Sequence, residues 1–558
     1  NNLFSGFPVF SGPLKQSFYL PRLIFFLLPK ELGFNLYIVS AYVMSSIFTY
    51  GYVFSLTKSS FASFASGLVF STSAFMMSHL THGSMIHAAA WIPLIIWSLN
   101  QLRYQYSFVW LLVGSSSIAM SILAGPPQIT VYTLILSGFY VVLITKDSLI
   151  SSFKYYLVAF LVVLLGIGLS SFQMLSTFEL SQLSDRQMIT YDYFNTYTLP
   201  LSQLSQLFFP FIFGGYSESF YGNGYFGKYN FHELSGYSGI FTIMLATVGV
   251  IYKKGSKQVR FWFCTAIFSL IVALGDSTPI FKLLYEMPFF NLFRAHGRFF
   301  VIMSFALAVL VGYGISMLQT QSESKQTKYF SIKIVGALMI LSLIITILCS
   351  SDNFLPSALN RLSIFVLIIP LIIFVSSAAI IIKWSSSNKD IKIYIFVICL
   401  LIFDLSSMSW FGAWKYKATK IDSIIASEFH TKYKKDLEKN HNRFATLDGV
   451  WSNSLTPDQA IRFNIESING YLPMLLRNYK TLTEITNRGY LNPNILNAND
   501  RTLDILSVKY ISSNKELLDK NSRLEFLEKG SNFYTYKNIN LLPRAWFVNE
   551  ALAYSENE

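Results

Sequence analysis

Charge is scarce in this chain. Asp, Glu, Lys and Arg make up only 13% of its 558 residues, against about 25% in soluble domains. The length alone suggests several soluble domains, but so little charge cannot make their surfaces. Cysteine is scarcer still. Cys264, Cys349 and Cys399 are the three present, too few for a disulfide framework, and each falls in an apolar run where a thiol behaves as a small hydrophobe. Collagen-like and disordered chains need compositions that are absent here. No P-loop, GxSxG, CxxC pair or HExxH motif is present. What is abundant is apolar: hydrophobic residues reach 53% and aromatics 17%. The composition describes a polytopic α-helical membrane protein with one soluble appendage.

A membrane helix needs about 20 apolar residues, and twelve segments approach that length. They are Leu32–Leu56, Phe61–Met77, Ser84–Leu99, Phe108–Leu123, Gln128–Ile144, Tyr155–Phe178, Tyr237–Tyr252, Phe261–Leu274, Phe299–Leu318, Ile332–Cys349, Ser363–Ile382 and Ile393–Met408. The net charge is +13, from 43 basic and 30 acidic residues. A nucleic-acid partner is one reading of that excess. The loops favour another, because the basic residues fall in alternate loops: Lys58, Arg103, Lys146 with Lys154, Lys253 to Arg260, Lys325 to Lys333, and Lys383 to Lys392. Under the positive-inside rule these loops are cytoplasmic. The protein is then expected in the cytoplasmic membrane, with no nucleic-acid partner and with membrane lipids around it. Its opening stretch and its tail lie outside.

The expected division is a transmembrane domain over 1–410, with outer loops 1–31, 179–236 and 275–298, and an extracytoplasmic α/β domain over 411–558. In that tail, Arg443–Leu447, Val508–Ser512, Phe533–Tyr536 and Ala545–Val548 alternate as strands do. Residues 1–29 are apolar but cut by Pro8, Pro13, Pro21 and Pro29, the pattern of a segment lying on or dipping into the membrane. No basic region followed by a cleavage site opens the chain. The opening reads as the inside of a loop, so the chain is expected to continue upstream, and the tail also ends without a closing fold signal.

Candidate chemistry gathers on the outer side. Leu123–Tyr132 holds a Gly125–Pro126–Pro127 turn and then Gln128 at a helix start, a place where backbone N–H groups suit an anion. Glu179, Asp185, Arg186 and Asp192 follow another span. Glu179 is a candidate acid, base or metal ligand, whereas Asp185 and Asp192 read as solvated charges. The Tyr- and Phe-rich loop 214–236 suits a sugar face or an interfacial aromatic belt, and its His232–Glu233 pair is the best placed for chemistry. Arg294, His296 and Arg298 stand at the outer mouth of a span, against the positive-inside rule. A guanidinium there needs an anion, and phosphate fits its fork. His79, His82 and His87 have a spacing that suits a metal; capping and hydrogen bonding is the plainer reading.

Taken in order, several strings resemble the bacterial YfhO-type membrane proteins of the C-type glycosyltransferase superfamily. They are NNLFSGFPVFSGPLKQSFYLP, HGSMIHAAAWIPLI, LAGPPQITVY, QMLSTFELSQLSDR, ELSGYSGI, NLFRAHGRFFVIMSFALAVLVGYG, SINGYLPMLLRNY, LSVKYI and LPRAWFV. The resemblance implies a GT-C-like helical fold with a cavity at the outer face. It implies a polyprenyl-phosphate sugar donor and a cell-envelope glycan or lipid acceptor, often with inversion. The family's usual acidic base would precede Asn1. The family's Gly-His-Pro-Gln string is Gly125–Pro126–Pro127–Gln128 here, so the histidine's role would be lost or would move to His82 or His232. By this resemblance Arg294 and Arg298 would hold the donor phosphate, with His296, Gln128 and Arg186 as further substrate contacts. Glu179 and Glu233 are the in-chain candidates for catalysis. No cofactor is assigned, and a divalent metal stays open. The competing readings are a lipid-linked glycan transporter and a non-catalytic envelope scaffold.

Overall fold

The computed structural model describes residues 2–145, 149–184, 190–215, 224–288, 290–320, 363–385, 391–410, 428–447 and 459–550, the last with short gaps at 473, 487–488, 498, 518–522, 531–532 and 549. Seven helices among these residues are long and apolar enough to cross a membrane, from Lys30–Thr57 to Ile391–Met408. Shorter apolar helices cover Phe108–Leu123, Pro127–Leu143 and Ile240–Tyr252. The chain is a multi-pass membrane protein. A helix stands at each expected position except Ile332–Cys349, which lies outside the described residues.

Two compact units divide the chain. The larger comprises Pro13–Leu175 and Ile189–Tyr416; the smaller gathers Asn1–Gly12, Ser176–Met188 and Lys417–Glu558. The smaller unit therefore takes two stretches that a division at residue 410 assigns to the transmembrane part.

In the larger unit, local signals set the helix ends. Pro29 precedes Lys30–Thr57, and Lys58 closes that helix in the left-handed conformation at φ 58°. The Ser59 hydroxyl then caps the next helix, Ser60–Ser71, by accepting from the Ala62 N–H. That span breaks at Thr72–Ser73 and resumes over Ala74–Ser78. The freed Ala74 N–H donates to the Tyr237 carbonyl at 2.9 Å, so a loop far away in sequence satisfies the break. The middle of the unit is the helix Phe300–Thr320, whose span is 83% buried, whereas Lys30–Thr57 and Ser152–Gln182 are only 28% buried. Gly249 and Gly314 let it approach Ile240–Tyr252 backbone to backbone: a Cβ on Gly314 would lie 2.0 Å from the Leu245 carbonyl oxygen. Small residues serve close helix packing within a bilayer in this way.

Asp404, wholly buried in the helix Ile391–Trp410, accepts from the Tyr237 hydroxyl and from the Phe241 N–H. It caps the helix Ile240–Tyr252 from outside and so has a structural use. The segment after Pro13 forms short 3-10 turns and one four-residue helix, Ile24–Leu27, as its prolines predict. The turns are pinned by buried Gln16, which donates to the Ala124 carbonyl and accepts from the Tyr37 hydroxyl.

The smaller unit is α/β. Its sheet has the order β1-β2-β4-β3, with β1 Arg443–Thr446, β2 Val508–Ser513, β3 Leu524–Lys529 and β4 Tyr534–Asn538. β1 and β2 run parallel, and the other neighbours run antiparallel. The helix Glu428–Asn440 lays Tyr433 and Leu437 against Phe444, Tyr510 and Phe533. Leu3 and Phe4 complete a second core beside Ala445, Val508 and Ile511. The expected strand Ala545–Val548 does not form. Trp546, Phe547 and Val548 are exposed, and no sheet neighbour pairs with them among the described residues. Instead β3, whose Glu525 and Glu528 break the apolar alternation, supplies the edge.

Candidate functional site

Four chain segments of the larger unit meet around Glu233. It lies in the short turn Phe231–Leu234, before the helix Ile240–Tyr252. Arg298 lies in the turn His296–Phe299 that opens Phe300–Thr320, and Ala295 reverses the chain just before it at φ 60°. Gln128 is in the first turn of Pro127–Leu143, and His79 directly follows Ala74–Ser78. Followed along the chain, all four sit at helix ends opposite to Lys58, Arg103 and Lys253.

Arg298 grips Glu233 with two parallel bonds, Nε to Oε2 at 2.8 Å and Nη2 to Oε1 at 2.6 Å. Its Nη1 donates to Gln128 Oε1 at 2.7 Å. Gln128 is therefore not waiting for an anion: its amide nitrogen donates to the Arg294 carbonyl and to the Tyr132 hydroxyl. Tyr132 passes the chain of bonds to His296 Nδ1 at 3.1 Å. His296 is fully buried and stacks on Phe290, so it sits inside the fold. Burial alone would push the Glu233 carboxyl up, but the Arg298 charge, the adjacent His79 and the Arg298 hydrogen bonds hold it well below the usual carboxylate range.

Three histidines border this pair. His79 Nε2 faces Glu233 Oε2 at 3.6 Å and has no closer partner among the described residues, while its Nδ1 lies 2.9 Å from the Phe75 carbonyl oxygen. The rings of His79, His82 and His232 stand 5.2 to 5.9 Å apart, centre to centre. The Ser78 hydroxyl fixes the third of them by donating to the His232 carbonyl. The expected partner His87 lies elsewhere, bound to Tyr19 and to the Tyr37 carbonyl. Among the described residues no three metal-ligating side chains are grouped to hold an ion. Burial, then the charges of His79 and neighbouring His232, lowers His82 to about 4. Burial also lowers His232. Both rings are half-buried and neutral near pH 7.

Arg294 contrasts with Arg298. Its guanidinium lies 4.9 Å from the Tyr193 ring centre and 5.3 Å from that of Tyr197. Among the described residues no carboxylate pairs with it. Cation–π contact orients the guanidinium and leaves its hydrogen-bond donors for an anion. Of the two arginines expected to hold a phosphate, one has its fork taken by Glu233 and Gln128, and the other has no side-chain hydrogen bond or ion pair among the described residues. Tyr193 and Tyr197 were not legible as site residues; their only signal was aromatic spacing in a long outer loop. Glu179 is exposed and belongs to the smaller unit. Arg186 and Asp185 lie outside the described residues.

No protein-family model and no curated protein matches the chain. Among solved structures, it is similar to ArnT from Cupriavidus metallidurans bound to undecaprenyl phosphate. The identity is 10% over 96% of this chain and 90% of that one, with a TM-score of 0.48. The same protein in the apo state is 9% identical over 94% and 87%, with a TM-score of 0.44. At these levels neither likeness assigns a role to a side chain here.

Proposed function

We propose that this chain is a membrane glycosyltransferase that moves a sugar from a polyprenyl-phosphate donor to a cell-envelope acceptor. The reaction takes place at the membrane face opposite the basic loops, with the α/β unit on that same outer side of the cytoplasmic membrane. One observation carries the reading: Arg294 presents an oriented guanidinium with no carboxylate partner among the described residues, beside a buried polar cluster at a helix-end face. A planar fork suits a phosphate monoester or diester. The YfhO-like strings point to the same donor class.

Each group then has a task. Arg294 holds the donor phosphate and stabilises its charge as it leaves. The acceptor oxygen bonds to the anomeric carbon while the bond from that carbon to the phosphate oxygen breaks. The hydroxyl proton goes to His232, which is neutral and partly exposed; His82, lowered to about 4, is as weak a proton acceptor as a carboxylate. Glu233, held at low pKa by Arg298, is a weak proton acceptor, so it serves as a positioning residue. Together with Arg298 and Gln128 it fixes the strap 294–298 that presents Arg294.

The test uses the protein in nanodiscs with radiolabelled polyprenyl-phosphate hexoses and an envelope extract. Label should leave the lipid for a non-lipid product. Folded protein that releases none of several hexoses would remove the transferase reading and favour transport or scaffolding.

A further inference from the structure

The two long outer loops enclose a cleft of about 310 Å³ that the reaction above does not use. Its walls come from the stretch 195–201, from Lys228 and from 274–277. The walls are fixed. Gly275, at φ 57°, turns the chain so that the Asp276 N–H reaches Asn195 Oδ1 at 3.3 Å, and a Cβ there would strike Thr198 at 2.4 Å. Gln203 accepts from the Lys228 N–H, and the Tyr225 hydroxyl donates to the Lys228 carbonyl. The Lys228 backbone is held while its ammonium stays exposed, 5.0 Å from the Tyr229 ring centre.

Two features indicate the occupant. The cleft's charges are one cation and one anion, Lys228 and Asp276, and no ion pair joins them among the described residues. A polyanion would meet Asp276, and a cation would meet Lys228. The Tyr191 hydroxyl donates to Asp276 Oδ1, so a neutral ligand carrying several hydroxyls can use both charges, with Asp276 Oδ2 accepting and Lys228 donating. The second feature is the mixture of polar and apolar wall: Asn195, Thr198 and Ser277 line the cleft together with Leu199, Pro200, Leu201 and Leu274. Rings with polar edges and apolar faces match this mixture. The volume is at the small end of ligand pockets, which suits a sugar unit and not a protein segment.

The cleft also adjoins the donor strap. The Thr196 and Tyr197 carbonyls accept from the Ala295 and Gly297 N–H groups, and Tyr197 carries both the Arg294 contact and the Tyr229 stack. We propose that this cleft binds a neutral carbohydrate unit of the acceptor, with Lys228 and Asp276 as its polar contacts. Its role as an acceptor site rests on the transferase reading; its binding of sugar does not.

Saturation-transfer NMR on the full chain in nanodiscs tests the binding directly. The probes are the methyl glycosides of glucose, galactose and N-acetylglucosamine, without donor. Ring protons of at least one glycoside should receive saturation. Lys228→Ala and Asp276→Ala should each weaken binding about tenfold, as loss of a charged hydrogen bond does. Lys282→Ala, on the exposed helix after the cleft, should not. No saturation of any of the three, or binding unchanged in both cleft variants, would overturn the proposal. Glycoside binding by a protein that moves no label would keep the cleft and remove the transferase reading.

Discussion

Two buried histidine clusters start eight residues apart, at His79 and His87, and differ in how their polar atoms are used. Around His87 every bond closes. Trp91 Nε1 donates to the Tyr19 hydroxyl, Tyr19 bonds His87 Nδ1, and His87 Nε2 bonds the Tyr37 carbonyl. Tyr37 then donates to Gln16, and Gln16 to the Ala124 carbonyl. Around His79 the network is open. Its buried Nε2 faces Glu233 Oε2 at 3.6 Å with no shorter bond among the described residues, and His82 and His232 are partly exposed beside the Glu233–Arg298 pair. A closed network holds the fold. An open one keeps the His82 and His232 rings partly exposed, where a substrate can reach them.

Four substitutions or conditions sharpen this contrast. Glu233→Ala would leave the half-buried Arg298 without its counter-charge, at a cost of about 3 kcal/mol, the lower end for a broken buried pair. Thermal unfolding in detergent should show a large drop, and an unchanged melting temperature would mean that the pair does not hold the site. In the open cluster, the His82→Gln, His232→Gln double variant should fold normally yet transfer sugar about a hundredfold more slowly, the scale of a lost general base. Full transfer would assign the proton elsewhere. In the closed cluster the pattern reverses. His87→Ala should cost about 1–3 kcal/mol through unpaired buried groups while activity per folded molecule stays the same; reduced turnover in folded protein would erase the distinction.

The smallest effect is on pH dependence. His82 and His232 titrate lower in the folded chain than in the unfolded one, beside His79, Glu233 and Arg298. As pH falls below about 6.5, the ordinary histidine value, the unfolded chain takes up these protons first. Stability is therefore full above that pH and declines toward about 4, where folded His82 itself titrates. The double glutamine variant should flatten the melting-temperature curve in this window, and a curve of the same slope would contradict the burial of these rings.

Much of this was legible in the sequence, for identifiable reasons. Helix positions follow from apolar length, and one helix start from the Gly125–Pro126–Pro127 turn. The break at Thr72–Ser73 was not legible, because its remedy is a carbonyl at Tyr237. The α/β character of the tail was readable in β1, β2 and β4. β3 was hidden by its edge glutamates, and Leu3 and Phe4 gave no sign that their core lies more than 400 residues away. At the site, residue type was readable but pairing was not. Sequence treats Arg294 and Arg298 alike as unpaired outer cations. Only the fold brings Glu233 and Gln128 to one of them and two tyrosine rings to the other, and only the fold replaces His87 with His232 in the trio.

The central claim is that Arg294 holds the donor phosphate. Its most direct test is the affinity of nanodisc-embedded protein for a polyprenyl phosphate, measured for the wild type, Arg294→Ala and Arg294→Lys. The account predicts a loss of at least tenfold in the alanine variant, the scale of a charge-assisted bond. Lysine should restore part of it, and the melting temperature should not move. Equal affinity in all three, with folded protein, would contradict it.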